Sequence, residues 1–245
     1  MKNKKLIIII AAIVAVLLVA FLCFGVSKPL KVENTMCYIG EATMPKFSGD
    51  GLDANKIDSI KYEFEKSVVT VDENYMLVAT GHEDPFKCTM TVKSGMKRWK
   101  GEFYIHTSYK EIDVANGDMI VGENNGSCPL KVSNPEIGQK CYIYLRNNGG
   151  GNDFAFIVLG ESNAEKKVPT GNYTLYVAYG YVTQGWYGPK YLFGKDGNSY
   201  YKRAETLDFT SSATQTSGYN MTVYDQEGGQ VSLERIKYSD FPGVG

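Results

Sequence analysis

Histidine is nearly missing: two residues in 245, His82 and His106. A metal centre or a general base needs several such groups to converge, and the neighbours that "GHED" supplies, Glu83 and Asp84, read better as polar turn residues. The chain has no C-x-x-C pair, no G-x-S-x-G, no H-E-x-x-H and no phosphate-binding glycine loop leading into a helix. No metal, cofactor or catalytic residue is therefore expected.

A surplus of positive charge is missing as well. Lys2, Lys4 and Lys5 open the chain; removing these three from 26 basic residues leaves 23 against 27 acidic ones, a net −4 for everything that follows. Such a balance excludes a general nucleic-acid binder. Long helical periodicity is absent too, and the class expected is all-β.

What is present first is an apolar run. Leu6 to Val26 holds 21 residues without a charge, amide or hydroxyl, which as a helix would reach roughly 31 Å, the thickness of a bilayer's hydrocarbon core. The expectation is an N-terminal transmembrane helix that tethers the chain to the cell membrane, leaving the bulk extracytoplasmic. The alternative is secretion after cleavage of a signal, whose apolar stretch is usually about 7–15 residues long.

Cys23 lies inside that run, whereas Cys37, Cys88, Cys128 and Cys141 lie beyond it. An even number in an oxidising compartment reads as two disulfides. The expected pairs are Cys128 with Cys141, joining adjacent strands, and Cys37 with Cys88; four reduced buried thiols are the competing reading.

Three segments follow from composition: a stub and anchor over 1–31, a β-rich domain over 32–121, and a β-sandwich domain over 122–245, with the break at "GENNGSCP". In the first domain, "SVVTVDENYMLVAT", "KCTMTV" and "EFYIHT" read as an antiparallel meander. "DANKIDSIKYEFEKS" fits either a helix capped by Asp53 or a strand. In the second, "PLKVSN", "KCYIYLRN", "DFAFIVLG", "NYTLYVAYG", "SYYKRA", "TLDFT", "YNMTVYD" and "VSLERIKY" are short runs between Gly and Asn clusters, the spacing of an antiparallel sandwich.

"KVPTGNYTLYVAYG" resembles the P-x-G-x-Y turn-to-strand signature of prealbumin-like and carboxypeptidase-regulatory-like sandwiches. With "WYGPKYLFG" and "YNMTVYD" after it, residues 127–242 are similar to an uncharacterised bacterial surface β-domain. The resemblance implies a sandwich fold, export, a turn at Pro169 and Gly171, and an inward ring at Tyr173. It implies no catalytic residue.

Two clusters are candidate contact sites. "QGWYGPKYLFG" packs four aromatic rings and three glycines into eleven residues. The plainer reading has Trp186 and Phe193 capping the core; the sharper one sets Trp186, Tyr187 and Tyr191 on an open face to stack against a sugar or peptide. "KSGMKRWKG" gathers Lys93, Lys97, Arg98 and Lys100 around Trp99 at a hairpin tip. It reads either as a solvated turn or as a patch for an anionic polymer or lipid headgroups.

The function expected is a membrane-anchored extracytoplasmic binding or structural protein that contacts a glycan, cell-wall polymer, peptide or surface protein. A cell-envelope hydrolase, using carboxylates or a histidine, is the alternative.

Overall fold

The computed structural model describes residues 26–181, 183–194, 198–224 and 233–244. About 51% of the described residues are in strands, and the helical turns among them are short 3-10 segments at Ala54–Lys56 and Tyr238–Asp240. Contacts divide the chain into two compact units, residues 1–110 and 111–245. No helix among the described residues is long and apolar enough to cross a membrane; the run Leu6 to Val26 lies outside them except for its last residue.

In the first unit, β1 (Lys28–Val32), β2 (Thr35–Tyr38), β3 (Ala42–Thr43), β4 (Phe47–Gly49) and β5 (Ser59–Glu63) precede β6 (Val69–Val71), β7 (Leu77–Ala79), β8 (Phe86–Ser94) and β9 (Lys97–Ser108). The larger sheet runs β4-β1-β9-β8-β5, with β2 also on β9, and the smaller one runs β3-β7-β6. The ambiguous segment after Asp53 resolves both ways: Asp53 caps the short 3-10 turn by accepting from the Asn55 N–H, and strand β5 follows. Alternation places Trp99, Phe103 and Ile105 of β9 inside with Cys88, Met90 and Val92 of β8.

The expected meander breaks between β7 and β8, which belong to different sheets. Strands β1 and β2 both run parallel to β9, so the purely antiparallel expectation is also corrected. Each hairpin is legible from local alternation, but a parallel pairing joins segments tens of residues apart and leaves no local mark.

The second unit begins with β10 (Met119–Val121), β11 (Cys128–Asn134), β12 (Lys140–Asn147), β13 (Phe154–Leu159) and β14 (Ser162–Val168). Then come β15 (Gly171–Gly180), β16 (Ser199–Arg203), β17 (Leu207–Phe209), β18 (Tyr219–Thr222) and β19 (Leu233–Arg235). One sheet runs β10-β13-β12-β15-β16-β19, with β17 on β15; a second runs β14-β11-β18, where β11 and β18 are parallel. The two sheets enclose a core of Leu130, Val132, Ile143, Leu145, Phe156, Leu175, Val177 and their neighbours.

Tyr173 turns its ring into that core, as the P-x-G-x-Y resemblance implied. The unit starts earlier than the composition break suggested: β10 pairs with β13, which assigns residues 111–121 to the second unit.

All four described cysteines are buried free thiols, so neither expected disulfide is formed. Register gives the reason for the first pair. Cys128 opens β11 and Cys141 nearly opens β12, yet the chain reverses between these strands, so the two thiols sit at opposite ends, about 20 Å apart along the strands. Cys37 faces Thr107 and Cys88 faces Phe103 across opposite edges of β9. These two thiols lie close enough for a charge on Cys37 to raise the Cys88 pKa, yet they remain unbridged.

Candidate functional site

The principal sheet of the second unit is buried on both faces. Strands β12 and β13 lack alternation for that reason, each carrying five consecutive buried residues. One face meets the smaller sheet. Against the other lie Trp186, Leu192, Phe193 and Phe241, over Tyr142, Tyr144, Ile157, Tyr176 and Tyr200.

The aromatic loop after β15 therefore forms a third layer. The Phe193 ring packs onto Gly180, where an added Cβ would fall 2.4 Å from it, so a hydrogen at that position lets the chain fold back on its own strand. Trp186 lies 4.8 Å from Tyr142 and 5.2 Å from Phe193, ring centroid to centroid. Leu192 takes φ 50° and donates to the Gly188 carbonyl at 2.7 Å, while its own carbonyl accepts from Tyr187 at 2.7 Å. The Asn198 amide donates to the carbonyls of Phe193 and Gly194, and the Tyr200 hydroxyl donates to that of Gly194.

With 1% exposure, Trp186 offers no ring face to a ligand; it is the core cap of the plainer reading. Tyr187 and Tyr191 are half-buried at the rim, with the Lys190 ammonium 5.3 Å from the Tyr191 ring. Burial pushes the Tyr142 hydroxyl pKa up, and burial together with a hydrogen bond to Asp153 does the same for Tyr144. Both phenols stay neutral under the loop.

The exposed large apolar residues of this unit lie toward one end of it. Ile137 is 74% exposed, and Ile112, Tyr181 and Tyr224 are each above 40%. Register brings them to one end. Lys140, which opens β12, faces Gly180, which closes β15; Ile137 lies in the turn feeding β12, and Tyr181 follows Gly180. The Ile112 N–H donates to the Trp186 carbonyl. Tyr224 follows Thr222, which faces Ser133 at the same end of β11. Sequence reasoning missed Ile112, Ile137, Tyr181 and Tyr224, because their grouping depends on register rather than on spacing.

In the first unit, Lys93, Lys97, Arg98 and Lys100 are all exposed, whereas Trp99 is buried. Its indole N–H donates to the Asp50 carbonyl at 3.1 Å, which makes it a core residue and not part of the patch surface.

The hydrolase alternative gains little from these groups. His82 Nδ1 is 2.7 Å from the Thr107 carbonyl, and no three His, Cys, Asp or Glu side chains converge among the described residues. An open groove of about 590 Å³ includes Glu63 and Glu65 in its lining. Lys61 holds Glu63 by a hydrogen bond that lowers its pKa, the opposite of what a general acid requires.

No protein-family model matches the chain, and no curated protein matches it. A solved structure described as "Chimeric titin Z1Z2 functionalized with a KLER exogenous peptide from decorin" is 6% identical, over 64% of this chain and 92% of its own, with a TM-score of 0.25. That likeness is too slight to assign a family. The class the fold defines is a β-rich protein of two units.

Proposed function

We propose that this is a membrane-tethered extracytoplasmic binding or structural protein, held by the apolar run Leu6 to Val26, whose second unit contacts a glycan, peptide or surface protein. The observation that carries the reading is the gathering of Ile112, Ile137, Tyr181 and Tyr224 at one end of that unit, beside the half-exposed Tyr187 and Tyr191. Apolar side chains clustered at a loop end of a rigid sandwich mark a contact surface, whereas the same residues scattered singly would need no explanation. Tyrosine suits such a face because it presents a large ring and a hydroxyl at little conformational cost.

Support for the tether is the length and composition of the run itself. Within the loop, Trp186 and Phe193 serve as the anchor that fixes the rim tyrosines in place.

The test uses immobilised cell-wall polysaccharide and solubilised surface protein as separate columns. Ile137→Asp combined with Tyr181→Ser should lose the retention that the wild-type chain shows on one of them, with its thermal midpoint unchanged, since both residues are exposed. Retention equal to wild type would remove this end of the unit as the contact surface.

A further inference from the structure

The hairpin β8–β9 turns on Gly95 and Met96, with Gly95 at φ 57° in the first central position, where the tight turn favours glycine. Lys93 stands directly opposite Arg98 across the ladder, a like-charge pair that costs stability. Lys61 extends the same row, facing Thr91, which in turn faces Lys100. Lys61 is bound to Glu63 at 2.9 Å, but Lys93, Lys97, Arg98 and Lys100 form no ion pair among the described residues. The carboxylate nearest the turn is Asp58, which accepts from the Gly95 N–H. At the tip, Met96 is 73% exposed.

A second observation concerns where the chain enters this unit. Strand β1 runs parallel to β9 with Lys28 opposite Trp99 and Pro29 opposite Lys100. Followed backward from Lys28, the chain therefore heads toward the hairpin tip. Val26, the last residue of the apolar run, is exposed and only Ser27 separates it from β1. From Trp99 to Met96 is three residues, about 10 Å. The place where the apolar run stops and the basic tip thus lie side by side.

From this juxtaposition we infer that the β8–β9 hairpin is a juxtamembrane contact: Lys93, Lys97, Arg98 and Lys100 meet anionic lipid headgroups while Met96 enters the headgroup boundary. The inference rests on the tether proposed above. It favours lipid over a soluble polyanion on two grounds. A tether with no linker brings a membrane within reach of the tip, and an exposed thioether gains from an apolar boundary but nothing from a polyanion. Unpaired cations near such a surface are attracted to it, with a reach of about one Debye length, roughly 8 Å at physiological salt.

The experiment uses the full chain with Cys23→Ala and Met96→Cys, labelled at residue 96 with an environment-sensitive fluorophore; the remaining native thiols are buried. It is reconstituted into phosphatidylcholine vesicles with or without phosphatidylglycerol. The expected result is blue-shifted emission with phosphatidylglycerol alone, lost at high salt and lost in Lys97→Glu with Arg98→Glu. A chain that fails to float with either vesicle removes the tether and this inference together. A chain that floats in both, with a label that stays wet, removes the hairpin contact alone. Should added dextran sulfate change the emission while phosphatidylglycerol does not, the patch belongs to a soluble anionic polymer and the lipid assignment falls.

Discussion

Cys37 and Cys88, both in the larger sheet of the first unit, have no solvent exposure. Burial pushes the Cys37 thiol up to about 11 and the Cys88 thiol up to about 12, from an ordinary value of 9.0. Thiolate is the reactive species, so both groups are protected twice, by lack of access and by lack of ionisation. Iodoacetamide should leave Cys37, Cys88, Cys128 and Cys141 unmodified in the native protein and alkylate all four once the chain is unfolded. A bridge between Cys128 and Cys141 found by non-reducing mass mapping would contradict the register argument. The pH dependence follows from the same direction of shift. Above about pH 9 the unfolded chain releases thiol protons that the folded chain retains, so stability is highest below that value. It falls as pH rises toward 11–12, at up to about 1.4 kcal/mol per pH unit for each thiol. Cys37→Ala should flatten the alkaline loss of denaturant midpoint relative to wild type; an unchanged slope would mean that these thiols do not govern it.

One element, the loop from Tyr181 to Gly194, decides how the second unit is covered. Trp186 is its largest buried side chain, packed between Tyr142, whose ring is tilted to it, and Phe193, which meets it edge-on. Its truncation leaves a cavity over the principal sheet. Trp186→Ala should cost about 3–5 kcal/mol and lower the thermal midpoint. A variant that melts like wild type would return Trp186 to the surface. The strands beneath were legible: each of the eight β-rich runs from "PLKVSN" to "VSLERIKY" covers, to within one residue, one of the strands β11 to β13 and β15 to β19. Strand β14 was not, because "SNAEKKV" is mostly polar and buries only Ala164 and Val168. Its place is fixed by the antiparallel partner β11 and not by its own composition. The glycines of the loop signalled a tight fold-back, yet which rings would face inward was open, since an amphipathic tyrosine satisfies either side. Consecutive buried residues in "CYIYL" and "FAFIV" did carry the missing information: a strand buried on both faces demands a second covering layer. The basic hairpin was legible as a local pattern except for Trp99, which the sequence reading grouped with the patch and which is buried in the core. What gives it meaning is the parallel pairing of Lys28 with Trp99, which no local pattern contains.

At the scale of the whole chain, the division at Lys110 and Glu111 makes a claim about folding, because a unit with its own core should fold by itself. Composition placed the break at Gly122, where Gly, Asn, Ser and Pro cluster, but a polar loop is a boundary only if few contacts cross it. Here they do cross. The Gly117 N–H donates to the Ile157 carbonyl, the Ile157 N–H donates to the Asp118 carbonyl, and β10 continues the pairing along β13. Val114, Ile120 and Val121 pack against the same face that Trp186 and Phe193 cover. A fragment of residues 122–245 would therefore leave the β13 edge unpaired and part of an apolar face open to water, the combination that promotes association through free strand edges. The fragment 111–245 keeps both covered. It should show a single cooperative thermal transition and no binding of a hydrophobic dye, whereas 122–245 should melt at lower temperature, bind the dye and self-associate in sedimentation. Equal midpoints for the two fragments would show that residues 111–121 are a linker after all, and that the second unit begins where the composition changes.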